Sequence, residues 1–360
     1  MGRFKKENTL VIVGNGFDLA HGYKTRYSDF VEDIFFGAIK KQVPELNSDA
    51  RAIGVKNELI TIPDKYYKFD NEKSIADQVL ENGSHKIEFN NRFFGRIISG
   101  NLYKWVDYES FYFNELLKTV EGNVSITELN AEFKTVKKFI VDYLERELMG
   151  TFHEPDRVPI SDSINDFFQQ LNVSYEYERM ESGADPIHIL NFNYSNTPKR
   201  YSNTEGFFLN NIHGTLLDKS QIIFGYGDET VPSYQKIEDL NVDDYHKFFK
   251  SIGYLMDDKY SKLLDFIDRE EGFDVEILGH SCGISDRVLL KTIFEHSNCK
   301  KIRIHYHEWE NKLGVLENDF ESKMINISRH FSDKKVLRSK VLNFKESKPL
   351  IPFRLQNKFR

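Results

Sequence analysis

Residues Thr9–Val13 read Thr-Leu-Val-Ile-Val and run directly into Gly14-Asn15-Gly16. An apolar, β-branched run without polar alternation suits a strand covered on both faces, and glycines at its end predict a tight turn. The next patterned segment, Tyr27–Lys40, repeats Phe30, Ile34 and Phe35 at helical spacing. Strand, glycine turn, loop and helix in that order open an α/β fold.

Strand signals return at Ile187–Phe192, Phe207–Ile212, Ile222–Phe224, Val275–Leu278 and Ile302–Tyr306, while Val242–Ile267, Asp286–Phe294 and Leu316–Ile327 read as helices. The alternation predicts an α/β fold with a Rossmann-like, mostly parallel, doubly wound sheet. From residue 43 to 184 the pattern shifts to long amphipathic segments, notably Trp105–Leu117 and Ile126–Leu148. The expected organisation is an α/β core of residues 1–42 and 185–345, a large helical insertion at 43–184, and an extended tail at 346–360.

At 360 residues, 40 % hydrophobic and 29 % charged, the chain is long enough to bury a sizeable core, and its 30 Phe and 18 Tyr argue for aromatic packing there. A formal net charge of -7 supplies no global basic field for nucleic acid or an anionic membrane. Only Cys282 and Cys299 occur, without a C-x-x-C pair, so neither a disulfide framework nor a zinc ribbon is expected. The first apolar run is too short for a signal-peptide core, and no stretch approaches the roughly 18 apolar residues of a membrane helix. The expectation is a soluble, cytoplasmic protein.

In open α/β sheets ligands sit beyond the carboxyl ends of the strands, where a glycine turn lets backbone N–H groups approach a phosphate. Gly14, Gly16 and Gly22 stand at such a place but depart from the G-x-G-x-x-G spacing of dehydrogenases. The residues alone leave a plain turn and a nucleotide site both open. The longer segment GNGFDLAHGYKTRYSDF, from Gly14 to Phe30, resembles the start of the bacteriophage abortive infection proteins of the AbiH family. Its glycine spacing is also similar to that of the NAD-cradling segment of the sirtuin (Sir2) family.

Four later segments extend the likeness in the sirtuin order: Leu190-Asn191-Phe192-Asn193-Tyr194-Ser195, Ile212-His213-Gly214, Ile223-Phe224-Gly225-Tyr226-Gly227-Asp228 and Leu278-Gly279-His280-Ser281. The resemblance implies NAD as substrate or ligand, and cleavage of its nicotinamide N-glycosidic bond through an oxocarbenium-like ribose. It implies that Asn193 holds a water or the ribose and that His213 bonds a ribose hydroxyl as general base. Gly14, Asn15 and Gly16 would receive the pyrophosphate. Asp18, Gly22, Tyr194, Ser195, Gly225, Asp228, Gly279, Ser281 and Asp286 would be further NAD-binding positions.

Two residues break the sirtuin pattern. Asp18 stands where sirtuins carry a Ser, and Ser195 stands where many carry an Asp. The missing C-x-x-C pair argues against the zinc module of protein deacetylases, so an NADase is expected rather than a deacylase. The implied role is antiphage defence by abortive infection, with a phage-derived trigger. A non-hydrolysing sensor of NAD or ADP-ribose is the alternative class, and homo-oligomers are compatible with either.

Gly279-His280-Ser281-Cys282-Gly283 also fits the G-x-S-x-G elbow of serine hydrolases. Only 79 residues follow Ser281, with one good strand to carry an acid and a histidine, so Ser281 is expected to bind rather than attack. Trp105-Val106-Asp107-Tyr108-Glu109 resembles another AbiH segment, which makes Glu109 an additional candidate. His305 and His307 share one strand face, but no third ligand is evident, and no metal is expected.

Overall fold

This computed structural model describes residues 8–40, 51–52, 55–62, 65–66, 87–100, 105–122, 125–153, 161–182, 187–202, 206–269 and 271–356. The expected boundaries at 42/43 and 184/185 lie outside the described residues. By compactness the chain divides into two units: residues 1–24, 147–234 and 248–360, and residues 25–146 and 235–247.

The first unit is built on six strands: β1 (Asn8–Val13), β2 (Ile187–Asn191), β3 (Phe207–Asn211), β4 (Phe273–Leu278), β5 (Cys299–Tyr306) and β6 (Lys348–Pro349). They lie in the order β6-β5-β4-β1-β2-β3, and every neighbouring pair is parallel. The chain steps from β1 outward to β3, crosses back, and steps outward again from β4 to β6. Strand order therefore reverses between β1 and β4, and in such sheets ligands bind in the crevice at that reversal.

Helices of this unit include α1 (Asn15–Ala20), α2 (Asp162–Ser182), α3 (Lys259–Ile267), α4 (Arg287–Glu295), α5 (Phe320–Ser328) and α6 (Lys334–Lys340). All six residues of β1 are buried, as its unbroken apolar run requires. Alternate residues serve opposite faces. Val11, Val13, Ile187, Ile189 and Leu278 pack with Ile164, Phe168 and Tyr175 of α2. Leu10, Ile12, Val275, Ile277, Ile302 and Ile304 pack with residues of α3, α4 and α5, among them Phe266, Leu290 and Ile327.

The second unit holds helices Tyr27–Lys40, Arg92–Ser99, Trp105–Val120 and most of Ile126–Leu148, with short antiparallel strands at Val55–Lys56, Ile60–Ile62 and Glu88–Phe89. Its core is aromatic. Tyr27, Phe93, Tyr112 and Phe133 are linked through Tyr108 or directly, with the Tyr112 and Phe133 rings 4.2 Å apart. Much of the unusual Phe and Tyr content is spent here.

Local departures from the sequence reading have backbone causes. Ile222–Phe224 is not a strand, because Ile223 N–H donates to His213 O (2.9 Å) across a turn. Val242–Ile267 is not one helix. Tyr226 N–H donates to Phe248 O (3.0 Å) and Lys250 N–H to Tyr226 O (2.9 Å), which draws residues 248–250 into a bridge. Leu316–Asn318 forms a hairpin with Glu308–Glu310 before α5 begins. In the C-terminal segment, Lys348 and Pro349 supply the edge strand beside β5. No described helix is long and apolar enough to cross a membrane.

Candidate functional site

The glycine turn after β1 and the Gly-His-Ser turn after β4 meet where the strand order reverses. Gly14 N–H donates to Leu278 O (3.1 Å) and Gly16 N–H to Gly279 O (2.8 Å). A Cβ on Gly14 would lie 2.6 Å from His280 Cα, and one on Gly279, whose φ is 72°, would lie 2.2 Å from Phe17 N. These glycines let two turns touch backbone to backbone. The contact also alters the expected phosphate site, since two of the N–H groups assigned to a pyrophosphate already have carbonyl partners. Gly22 is different: its φ is 85°, and its absent side chain would meet nothing within 4 Å.

The end of β2 is tied to the same turn. Asn191 Nδ2 donates to Ser195 O (3.0 Å) and its Oδ1 accepts from Asn193 N–H (3.1 Å). That places Asn193 Nδ2 3.0 Å from Gly14 O, to which it donates, with 8 % of the residue exposed. Ser195 Oγ donates to Asp18 Oδ1 (2.8 Å), and Thr197 Oγ1 lies 3.2 Å from Ser195 Oγ. Burial pushes the Asp18 carboxyl up to about 6, against the lowering effect of the Thr197 and Ser195 hydroxyls. Tyr194 turns away and donates to Ile223 O (3.0 Å).

A buried charged cluster lies at the carboxyl ends of β3 and β4. Lys250 Nζ is 2.7 Å from Asp286 Oδ1, His213 Nε2 is 3.4 Å from the same oxygen, and His280 Nε2 is 3.7 Å from Oδ2. Tyr254 Oη is 3.0 Å from His213 Nε2. Burial alone would raise the Asp286 pKa, but the Lys250 ammonium and the two imidazoles hold its carboxyl well below the usual range. His280 accepts from Cys282 N–H at Nδ1 (3.0 Å), so its proton sits on Nε2, facing Asp286. Burial lowers the His280 pKa to about 4, which keeps the ring neutral.

Asp228 and Gly225 buttress this cluster. Asp228, fully buried, accepts from Thr230 N–H (3.0 Å) and from Arg287 Nη1 (3.0 Å), fixing the start of α4 next to Asp286. A Cβ on Gly225 would lie 1.9 Å from Phe248 O, and one on Gly227 3.3 Å from Lys250 Cδ. The Gly-Tyr-Gly turn thereby makes room for the Lys250 stem.

The remaining candidates separate from the cluster. Ser281 is exposed, and its carbonyl accepts from Asn326 Nδ2 (3.0 Å). No histidine bonds its hydroxyl among the described residues, and the left-handed backbone falls on Cys282 (φ 52°), so a nucleophile elbow is not formed. Cys282 is fully buried with its thiol pushed up to about 12, which leaves it inert. Asn15 is half-buried at the start of α1. Glu109 is buried in helix Trp105–Val120 of the other unit, and the Asp107 side chain lies outside the described residues.

Lys250 and Tyr254 escaped the sequence reading. Lys250 follows two phenylalanines in Phe248-Phe249-Lys250-Ser251-Ile252-Gly253-Tyr254 and looks like the wet edge of a helix. Only its distant partner Asp286 explains why it is 2 % exposed. Among the described residues no group of three His, Cys, Asp or Glu side chains is placed to hold a metal ion.

The model of the bacteriophage abortive infection AbiH family matches residues 10–308, from inside β1 to the start of the hairpin after β5. The chain belongs to this family. Among curated proteins, none matches it. The matched span takes in every residue of the switch-point cluster, and membership supports a role in phage defence by abortive infection.

Proposed function

We propose that this AbiH protein serves abortive infection by cleaving the nicotinamide N-glycosidic bond of NAD at the reversal between β1 and β4. The observation that carries the reading is the convergence, at that one point, of the glycine turn and the Asp286, His213 and Lys250 cluster. In the reaction the ribose–nicotinamide bond breaks with its electron pair going to the ring nitrogen. Water adds to the anomeric carbon, and its proton passes to His213 and on to solvent. Asp286 fixes the imidazole, Lys250 keeps Asp286 ionised, and Asn193 orients the ribose or the water.

The interlocked turns suit a resting state. Gly16 N–H becomes available to a phosphate only when it leaves Gly279 O, and a defence NADase has to stay idle until a phage-derived trigger arrives. A non-hydrolysing sensor of NAD or ADP-ribose is the second reading. It is favoured by the burial of Asn193 and His213, each already bonded to protein.

Purified protein incubated with NAD, with and without phage lysate, tests both by release of nicotinamide and ADP-ribose. Release lost in Asn193→Ala and in His213→Ala supports the first reading. Release that survives both substitutions overturns the site, and bound but intact NAD under every condition selects the sensor.

A further inference from the structure

We propose that the first unit carries a second ligand site, for a small hydroxyl-bearing organic anion, on the sheet face beneath α2. A cavity of about 480 Å³ opens there against β4, β5 and β6, within the range that holds small molecules. None of its lining residues belongs to the switch-point cluster, and the site does not depend on the NAD reading.

Its floor is charged where a sheet face is ordinarily apolar. Glu276 of β4 and His305 of β5, each 6 % exposed, project onto this face with Arg303, two positions from His305 and on the same face by the alternation of β5. Glu276 Oε1 accepts from Arg303 Nη1, and Glu276 Oε2 lies 2.8 Å from His305 Nε2. A carboxylate oxygen there accepts, so the His305 Nε2–H donates to Glu276 and Nδ1 is the ring nitrogen left for a ligand. Nδ1 has no protein partner among the described residues, although the residue lines the cavity.

Arg303 is likewise only part used. Its Nη1 goes to Glu276 and its Nε to Glu346 O (3.1 Å), while Nη2 has no acceptor among the described residues. Lys348 of β6 lines the same cavity with its ammonium unpaired among them. Arg303 neutralises Glu276, so the forked Nη2 donors and Lys348 favour an anion, carboxylate or phosphate. Nδ1 calls for a polar partner on the same molecule, and a hydroxyl, which can donate to it or accept from it, supplies one. Phe167 and Leu350 give apolar walls for its body. Exposed Asp166 on α2 opposes net negative charge, so selection rests on the fork rather than on the field.

The test uses 4-hydroxybenzoate and ribose 5-phosphate as the carboxylate and phosphate arms, with benzoate as the hydroxyl-free control. Each is added to about 10 mM, roughly ten times the Kd of a weak site, while the ring nitrogens of ¹⁵N-histidine-labelled protein are followed by NMR and assigned with His305→Gln. At least one hydroxylated probe should shift the His305 resonances, and benzoate should bind about tenfold more weakly. Arg303→Lys keeps a cation beside Glu276 but removes the fork, and should weaken binding about tenfold. Lys348→Gln, on the exposed rim, should weaken it several-fold with unchanged melting. No His305 shift with either probe, or shifts indifferent to both substitutions, would overturn the site.

Discussion

Ser195 Oγ donates a 2.8 Å hydrogen bond to Asp18 Oδ1. The resemblance to sirtuins that the sequence suggests is weakest at these two residues. The two residues form one buried hydroxyl–carboxylate pair. Asp18 is 1 % exposed and satisfied by Ser195 and Thr197, so its charge is committed to the protein.

Asp18 should make the fold more stable at low pH than at neutral pH. Its folded pKa of about 6 exceeds the 3.8 of an unperturbed aspartate. A raised pKa gives a contribution that is complete below 3.8 and lost as pH rises through 6. Asp18→Asn retains an acceptor for Ser195 without the buried charge. Relative to wild type it should gain about 3 kcal/mol at pH 7.5 that it lacks at pH 4. Urea melts at the two pH values measure this, and an equal difference at both would refute it.

His280 acts in the opposite sense. Its pKa falls from 6.5 to about 4 on burial, so its contribution is full above 6.5 and disappears as pH drops toward 4. His280→Asn keeps an acceptor for Cys282 N–H. The substituted protein should lose less stability between pH 6.5 and 4 than wild type does, by up to about 3 kcal/mol.

Lys250 and Asp286 should behave as a unit. Removing either leaves the other charge buried, with Lys250 2 % exposed and Asp286 9 %. Lys250→Met and Asp286→Asn should each cost about 3–5 kcal/mol. The double variant should cost clearly less than their sum. Additive losses in denaturant melts would mean that the pair is not coupled.

What was legible in the sequence was the part written locally. β1 is a continuous apolar run ended by glycines, and β2 to β5 each carry a short signal of their own, so the α/β class was readable, whereas the two-residue β6 lies in the segment expected as an extended tail. Lys250 was not, because a lone lysine beside phenylalanines gives no sign of a carboxylate 36 positions away. The partnership of Glu276 with Arg303 and His305 was hidden for the same reason: strand alternation sets their face, but only the register of β4 against β5 brings them together. The glycine turns held a relationship that their spacing does not reveal. Gly14 and Gly279 do permit close backbone approach, but here the approaching partner is each other's turn.

Gly279 and Gly22 should therefore respond unequally to alanine. Both have positive φ, which costs an L-residue about 1 kcal/mol. Gly279→Ala also drives Cβ to 2.2 Å from Phe17 N, and neither backbone has room to yield, whereas Gly22→Ala meets open space. The first should be the more destabilising by at least about 2 kcal/mol, in the range of overpacked sites. Similar melting of the two would show that the turns after β1 and β4 do not bear on each other.

Ser281→Ala should change neither stability nor NAD cleavage. Its side chain is exposed and has no histidine on its hydroxyl among the described residues, while the strained backbone beside it belongs to Cys282. That strain is held from both sides, by Cys282 N–H on His280 Nδ1 (3.0 Å) and by His330 Nε2 on Cys282 O (2.8 Å). A surface substitution away from such features shifts stability by less than about 0.5 kcal/mol. Loss of ester hydrolysis in Ser281→Ala, with NAD untouched by the wild-type protein, would instead identify the turn as a nucleophile elbow and remove His213 from the chemistry.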